Sequence, residues 1–419
     1  MNWYLVVIVV AIIAEYFLNV LSEFLNNRRL SDVAPLQLQS IYEENEYERS
    51  QRYTRDKSYF GIISTSLGLV ALGVFWIFGG FNWIHSVVTD WSSIFILQGI
   101  FYIGVFVLIS TMFSIPFGLY STFVIEKKYG FNNTTIATFA LDSIKALLLS
   151  AALGIPLLAV VLLLFGADIR FDWVYCWVVL TIFSVVLQVI APLWIMPLFN
   201  KFEPLEDGDL REAIFSFASN VDFRISDIFV IDGSKRSNHS NAFFTGIGRT
   251  KRIALFDTLI SKHTREEIVA VVAHEIGHYK KGHIKKGLAI GVLHSGIILW
   301  VLSIFLERPG LYEAFKMGSV SDSSQLPIYA GLLFFGLLYK PMEMILSLFS
   351  QMISRHNEKS ADKWACEYLD DATPLVGGLK KLAADNLSNL DPHPMYVLLN
   401  YSHPPLSDRI DGINAAINR

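Results

Sequence analysis

The stretch Ile328–Leu348, IYAGLLFFGLLYKPMEMILSL, has the length and apolarity that cross a bilayer. Ser354–Asp362, SRHNEKSAD, follows it closely and carries two carboxylates one helical turn apart, Glu358 and Asp362. A spanning helix needs ~20 mostly apolar residues, because the hydrocarbon layer is ~30 Å thick and a helix rises ~1.5 Å per residue. These two pieces therefore put acidic chemistry beside a membrane wall. Lys340 and Glu343 interrupt the apolar run, where exposure to lipid is costly, so they are expected to face a wet interior or each other.

Working outward, six further stretches meet the same criterion: Trp3–Leu21, Phe60–Trp83, Ile94–Phe117, Ser143–Phe165, Trp173–Trp194 and Gly287–Leu306. Trp83, Trp173 and Trp194 stand at segment ends, where amphipathic rings are favoured. The whole chain agrees with this reading: of 419 residues 53% are hydrophobic and only 17% charged, too apolar for an ordinary soluble enzyme. A formal charge of −4 excludes the basic footprint that nucleic-acid binding requires. Cys176 and Cys366 lie in unrelated segments, which indicates neither a disulfide framework nor a thiolate metal site. The first apolar run lacks a basic leader and a small-residue cleavage site, so it reads as a retained anchor.

Loop charge sets the expected orientation. The first loop carries Arg28, Arg29, Arg49, Arg52, Arg55 and Lys57, and the third carries Lys127 and Lys128. Ser86–Ser93 has no Lys or Arg, Gly166–Asp172 has only Arg170, and the last loop has Arg308 and Lys316. By the positive-inside rule the N-terminus is outside, while the polar insertion from Asn200 to about Lys286 and the segment after Ser350 face the cytosol. The expected organisation is five spans in residues 1–199 with a cytosolic loop at 22–59, an α+β insertion at 200–286, two spans at 287–349 and a helical C-terminal segment at 350–419.

Within the insertion, Ile228–Ile231, Ala242–Thr245 and Ile253–Phe256 are short apolar or β-branched stretches that predict a small β-meander. Thr264 and Glu267 have the spacing of a capping box at the start of a helix. That helix carries Val271–His278, VVAHEIGH, which contains the HExxH spacing. Histidines at i and i+4 share one helix face, so His274 and His278 can converge on one tetrahedral Zn²⁺. Glu275, turned by ~100° per residue, reaches solvent beside the metal without becoming a ligand.

A catalytic zinc also needs a third protein ligand and an open position. Ile284 occupies the place where another histidine often follows the motif, and His283 falls on the opposite face of a continuing helix. Glu358 is then the candidate third ligand, and Asp362 is placed to orient a ligand histidine. His85, His263, His294, His356 and His393 have no second ligand at helical spacing and read as ordinary polar residues.

Beyond the metal motif, Gln51–Lys57 (QRYTRDK), Phe123–Asn132 (FVIEKKYGFN), Pro197–Phe202 (PLFNKF), His239–Phe244 (HSNAFF) and Ser402–Pro405 (SHPP) all belong to one pattern. The chain resembles, over nearly its whole length, the CAAX prenyl proteases of type I, integral-membrane zinc endopeptidases of the gluzincin type. The resemblance implies an α-helical multi-pass membrane protein with about seven transmembrane helices forming a barrel around a hydrated chamber, and a small α+β zinc metalloprotease domain. It further implies one Zn²⁺ on His274, His278 and Glu358, with Glu275 as general base. A strand holding Asn241 and Ala242 would align substrate backbone, and His403 with Arg409 would form a pair beside the metal, placed to stabilise an oxyanion. Ile276 stands where the family often has Leu and His393 where it often has an acidic residue; neither bears on the metal.

The implied reaction is peptide-bond hydrolysis, and the implied substrates are proteins ending in a prenylated CAAX box, cut to release the last three residues. The bilayer is the other expected partner, and nucleic acid is not one. Competing readings are a membrane quality-control protease for unprenylated proteins, and a transporter or scaffold in which HExxH is incidental. Intramembrane site-2-type cleavage fits less well, since HExxH sits in a polar insertion. The expected compartments are a bacterial inner membrane or the endoplasmic reticulum, although Ala415–Arg419 carries no retrieval signal.

Overall fold

The computed structural model describes residues 2–31, 33–35, 44–167, 169–245, 252–318 and 326–418. The expected loop 22–59 thus lies partly outside the described residues, as does the last residue of the C-terminal segment. The first half is helical: α1 (Trp3–Arg29), α2 (Glu44–Ile77), α3 (Gly80–Trp91), α4 (Phe95–Tyr120), α5 (Ile136–Gly166) and α6 (Asp172–Ile190). There follow β1 (Phe202–Pro204), α7 (Asp209–Asn220), β2 (Asp227–Ile231), β3 (Ala242–Thr245), β4 (Arg252–Phe256), α8 (Asp257–Lys262) and α9 (Arg265–Lys280). The chain ends with α10 (His283–Leu306), α11 (Pro309–Glu313), α12 (Ile328–Tyr368), α13 (Thr373–Asp385), α14 (Pro394–Asn400) and α15 (Leu406–Ile417).

Seven of these helices, α1, α2, α4, α5, α6, α10 and α12, are long and apolar enough to cross a membrane, and each expected span falls on one of them. One boundary differs. Phe60–Trp83 joins two elements: α2 stops at Ile77, Gly79 turns the chain at φ 74°, and Trp83 belongs to α3, which also fills the expected outer loop as far as Trp91. A left-handed backbone at that position suits only glycine without strain.

Neighbouring helices close a ring. α1 packs on α2, α2 on the π-helical extension of α4, and α4 on α5; α5 packs on α6, α6 on α10, α10 on α12, and α12 returns to α1. Among the described residues, no spanning helix has more than 22% of its apolar window buried, as expected for staves with lipid outside and a hollow inside. At one end α12 also touches α4 and α5. Fully buried Tyr102, Tyr312, Tyr329, Phe315 and Phe334 close the hollow there, with Phe315 stacked between Trp76 at 4.4 Å and Phe334 at 3.7 Å. Lys340 and Glu343 are exposed, and among the described residues no ion pair joins them.

The insertion builds a four-stranded sheet in the order β1-β2-β4-β3. This corrects the expected meander: β4 lies parallel to β2 and antiparallel to β3, so the second and third strands in sequence are not neighbours. The added strand β1 pairs antiparallel with β2 at the edge, where Pro204 is tolerated and hides the β signal. Thr264 and Glu267 make the reciprocal capping box that starts α9. α9 then buries Ile268, Val272, Ala273 and Ile276 almost completely against the sheet, α7, α12 and α13. Each large apolar side chain buried in this way contributes ~1.5–3 kcal/mol.

α12 is one helix of 41 residues, ~60 Å long, with Pro341 inside it. It begins in the aromatic plug, forms a stave of the ring and then runs on to pack against α9. The expected border between 349 and 350 therefore falls inside a single rod.

Candidate metal centre

α9 and α12 approach closely because Gly277, inside the HExxH stretch, presents no side chain. A Cβ there would stand 3.1 Å from the Ala361 carbonyl oxygen and 3.1 Å from the Trp364 ring. That proximity brings together residues from distant parts of the chain. His278 Nε2 lies 3.1 Å from His274 Nε2 and 3.2 Å from Glu358 Oε1, while His274 Nε2 lies 3.3 Å from Glu358 Oε2. Among the described residues this trio is the one group of three His, Cys, Asp or Glu side chains spaced to hold a metal.

The donor set fits a tetrahedral divalent cation. With ~2.0–2.1 Å bonds, ligand atoms around such a centre stand ~3.3 Å apart, close to the spacing observed. Glu358 Oε2 is buried yet accepts no hydrogen bond among the described residues, which is costly unless a cation takes it. Charge agrees: once the imidazoles are neutral, as ligands must be, the carboxylates of Glu358 and Asp362 outnumber the single guanidinium of Arg409, which favours a cation.

The surrounding contacts orient the trio. Asp362 Oδ1 is 2.8 Å from His274 Nδ1, so the ring's other nitrogen faces Glu358. Arg409 grips Asp362 twice, Nη2 to Oδ1 at 2.6 Å and Nε to Oδ2 at 2.8 Å, and its Nη1 is 3.7 Å from Glu358 Oε2. Burial opposes a charge on His274, but the neighbouring carboxylates of Asp362 and Glu358 outweigh that and raise its pKa to about 9 in the metal-free protein. Burial pushes the Glu275 carboxyl above the usual carboxylate range, with His274 and His278 pulling the other way. Burial works against the Arg409 charge, yet the Asp362 bonds raise its pKa further.

His403 approaches from the loop before α15, with Nε2 3.4 Å from Glu358 Oε1 and its side chain 62% exposed. The site is thus open on the side of His403 and closed on that of Arg409. Ala242 opens β3 and pairs with Leu255, and Asn241 just before it accepts from Phe256 N through its carbonyl. β3 is the edge strand opposite β1, and it packs on α9. Two stretches that are separate in sequence also meet here: Phe131 stacks on His239 at 3.9 Å, and the Asn238 side chain donates to the Gly130 carbonyl. Of the remaining histidines, His85 and His294 meet the hydroxyls of Tyr329 and Tyr339, and His393 caps α14.

The expected placement of His283 is overturned. α9 ends at Lys280 and α10 starts at His283, and Gly282 between them has φ 71°, so counting ~100° per residue across that turn fails. His283 folds back until its Nδ1 is 3.1 Å from Nδ1 of His278. The signal was the glycine itself, a residue that commonly terminates a helix.

Known proteins carry the same organisation. Residues 23–201 match the family model described as CAAX prenyl protease N-terminal, five membrane helices, and residues 204–417 match that of peptidase family M48. CAAX prenyl protease 1 of Saccharomyces cerevisiae is 35% identical over 404 residues, covering 91% of this chain and 88% of that one. The CAAX prenyl protease 1 homolog of Homo sapiens is 31% identical, covering 90% and 88%. The crystal structure of S. mikatae Ste24p superposes with a TM-score of 0.93 at 34% identity, over 99% of this chain and 100% of that one.

Proposed function

The chain belongs to peptidase family M48 and is a multi-pass membrane metalloendopeptidase, and from that premise we propose that its metal is a single zinc ion held by His274, His278 and Glu358, and that its substrates are proteins ending in a prenylated CAAX box. The observation that carries the metal assignment is the spacing of the three ligand atoms, together with a buried Glu358 oxygen that accepts no hydrogen bond among the described residues. Two imidazoles and one carboxylate are a zinc set, and an open fourth position leaves room for chemistry. When bound, zinc polarises the scissile carbonyl and brings the pKa of water to near ~7.

Each neighbouring side chain then has a task. Glu275 takes the proton of the attacking water and returns it to the leaving amine. His403, exposed and pointing at Glu358, is the donor for the oxyanion, a role often contributing ~3 kcal/mol. Arg409 is occupied by Asp362, so it holds that carboxylate on His274. β3, which among the described residues has no strand on its outer side, accepts an extended substrate as an added strand beside Asn241 and Ala242. The relatives named CAAX prenyl proteases supply the substrate class, and a prenyl tail suits a site reached beside bilayer-spanning staves. The Lys and Arg of the first and third loops support a site on the cytosolic side.

Metal analysis with cleavage of one C-terminal peptide, farnesylated and unfarnesylated, tests both halves. Wild type should bind one zinc per chain and release a tripeptide from the farnesylated form. Glu275→Gln should keep the zinc and lose ~10²–10⁴-fold in rate. Equal cleavage of both peptides would remove the prenyl requirement, and full activity in Glu275→Gln would remove the base.

A further inference from the structure

The two ligand imidazoles are held in different ways. His274 has a carboxylate, Asp362, at its outer nitrogen. His278 faces the trio through Nε2, so in the neutral ligand form its Nδ1 carries the proton and needs an acceptor. A metal-bound histidine nearly always donates that proton to a carboxylate, a carbonyl or water, which fixes its ring. What His278 Nδ1 meets is Nδ1 of His283 at 3.1 Å, with the rings 77° apart and their centroids 5.0 Å apart.

We infer that His283 is a positioning residue for the metal centre, accepting the His278 Nδ1–H through its own unprotonated Nδ1 and so fixing the ring that carries the second ligand nitrogen. The backbone is built for this contact. Gly282 takes the left-handed conformation that reverses the chain, and α10 begins at His283 itself, which is buried. A proton on His283 Nδ1 would set two donors against each other, so the pair works only with His283 as acceptor. Because His283 is the first residue of a spanning helix, one ligand is tied to the ring of staves through α10 while Glu358 is tied to it through α12.

This inference rests on the metal-site reading given under Proposed function, and the test separates the two. Zinc affinity is measured in detergent by competition with a chelator, and the visible spectrum of the cobalt-loaded protein is recorded for wild type, His283→Phe and His283→Asn. Phenylalanine keeps the ring and its packing but offers no acceptor, whereas asparagine loses the ring but places a carbonyl oxygen near the Nδ1 position. His283→Phe should weaken zinc binding about 10- to 100-fold and shift the cobalt spectrum, and His283→Asn should recover most of both. Unchanged affinity in His283→Phe, or equal loss in both variants, overturns the assignment. Should His283→Phe lower the metal-free unfolding midpoint, His283→Leu takes its place. A wild-type protein that binds no zinc would instead sink the metal-site reading itself.

Discussion

Replacing Asp362 by asparagine changes one charge and almost no volume, yet it touches both halves of the metal centre. Asp362 and Arg409 are 5% and 11% exposed at their side chains and share two charge-assisted bonds. Breaking such a buried pair by neutralising one partner typically destabilises by about 3–5 kcal/mol, because the other charge is left without compensation. An amide oxygen still accepts one bond from the guanidinium, which favours the lower end of that range. The second effect falls on the metal. His274 loses its carboxylate partner, which by itself weakens metal affinity about 10- to 100-fold. The freed guanidinium also has Glu358 Oε2 only 3.7 Å from Nη1, and turning toward it pulls the third ligand away from the trio. Asp362→Asn should therefore unfold earlier on heating in detergent and lose zinc to a chelator by at least the upper part of that range. Adding Arg409→Met removes the stranded charge, so stability should largely return while affinity should not. A single variant with wild-type midpoint and wild-type zinc affinity would refute the account of Asp362.

Gly277→Ala inserts a methyl group against the Ala361 carbonyl and the Trp364 ring, and the parting of α9 from α12 should cost about 1–3 kcal/mol of stability and loosen the metal, read as a faster zinc off-rate. Wild-type stability and off-rate would mean the helices have slack. Metal loading should also release protons: the His274 pKa of about 9 lies above neutral pH, so the metal-free ring is protonated at pH 7 and must give up a proton to become a ligand. Titration calorimetry in buffers of different ionisation enthalpy should report about one proton displaced from this ring at pH 7, with the release fading as pH rises through 9. Binding heats independent of buffer at pH 7 would rule this out.

The spans were legible because lipid imposes one rule on them: each expected apolar run overlaps one of the seven long apolar helices, from Trp3 to the start of α12. The capping box at Thr264 was legible because its partners are local in sequence. What sequence spacing did not convey was geometry made by chain reversal. Gly79 divides one apolar run into two helices, and Gly282 swings His283 back onto His278. Strand order was hidden for a related reason, since β4 enters between β2 and β3 and only long-range pairing decides that. Glu358 was found as the remaining acidic candidate beyond an apolar run, whereas the role of Gly277 as a gap between helices needed coordinates.

α12 carries both a stave of the membrane ring and Glu358, the proposed third metal ligand, so the two are mechanically linked. Pro341 has no N–H for the helical ladder, so the rod is weakest at a point ~26 Å along the helix from Glu358. Over that lever arm, a change of about two degrees shifts the Glu358 carboxylate by ~0.9 Å, beyond the ~0.5 Å tolerance that a working constellation allows. The clamp of α12 against α9 near Gly277 and the aromatic anchorage near Tyr329 therefore act as the two bearings of a shaft, and the precision of the metal seat is set along the stave as much as inside the small domain.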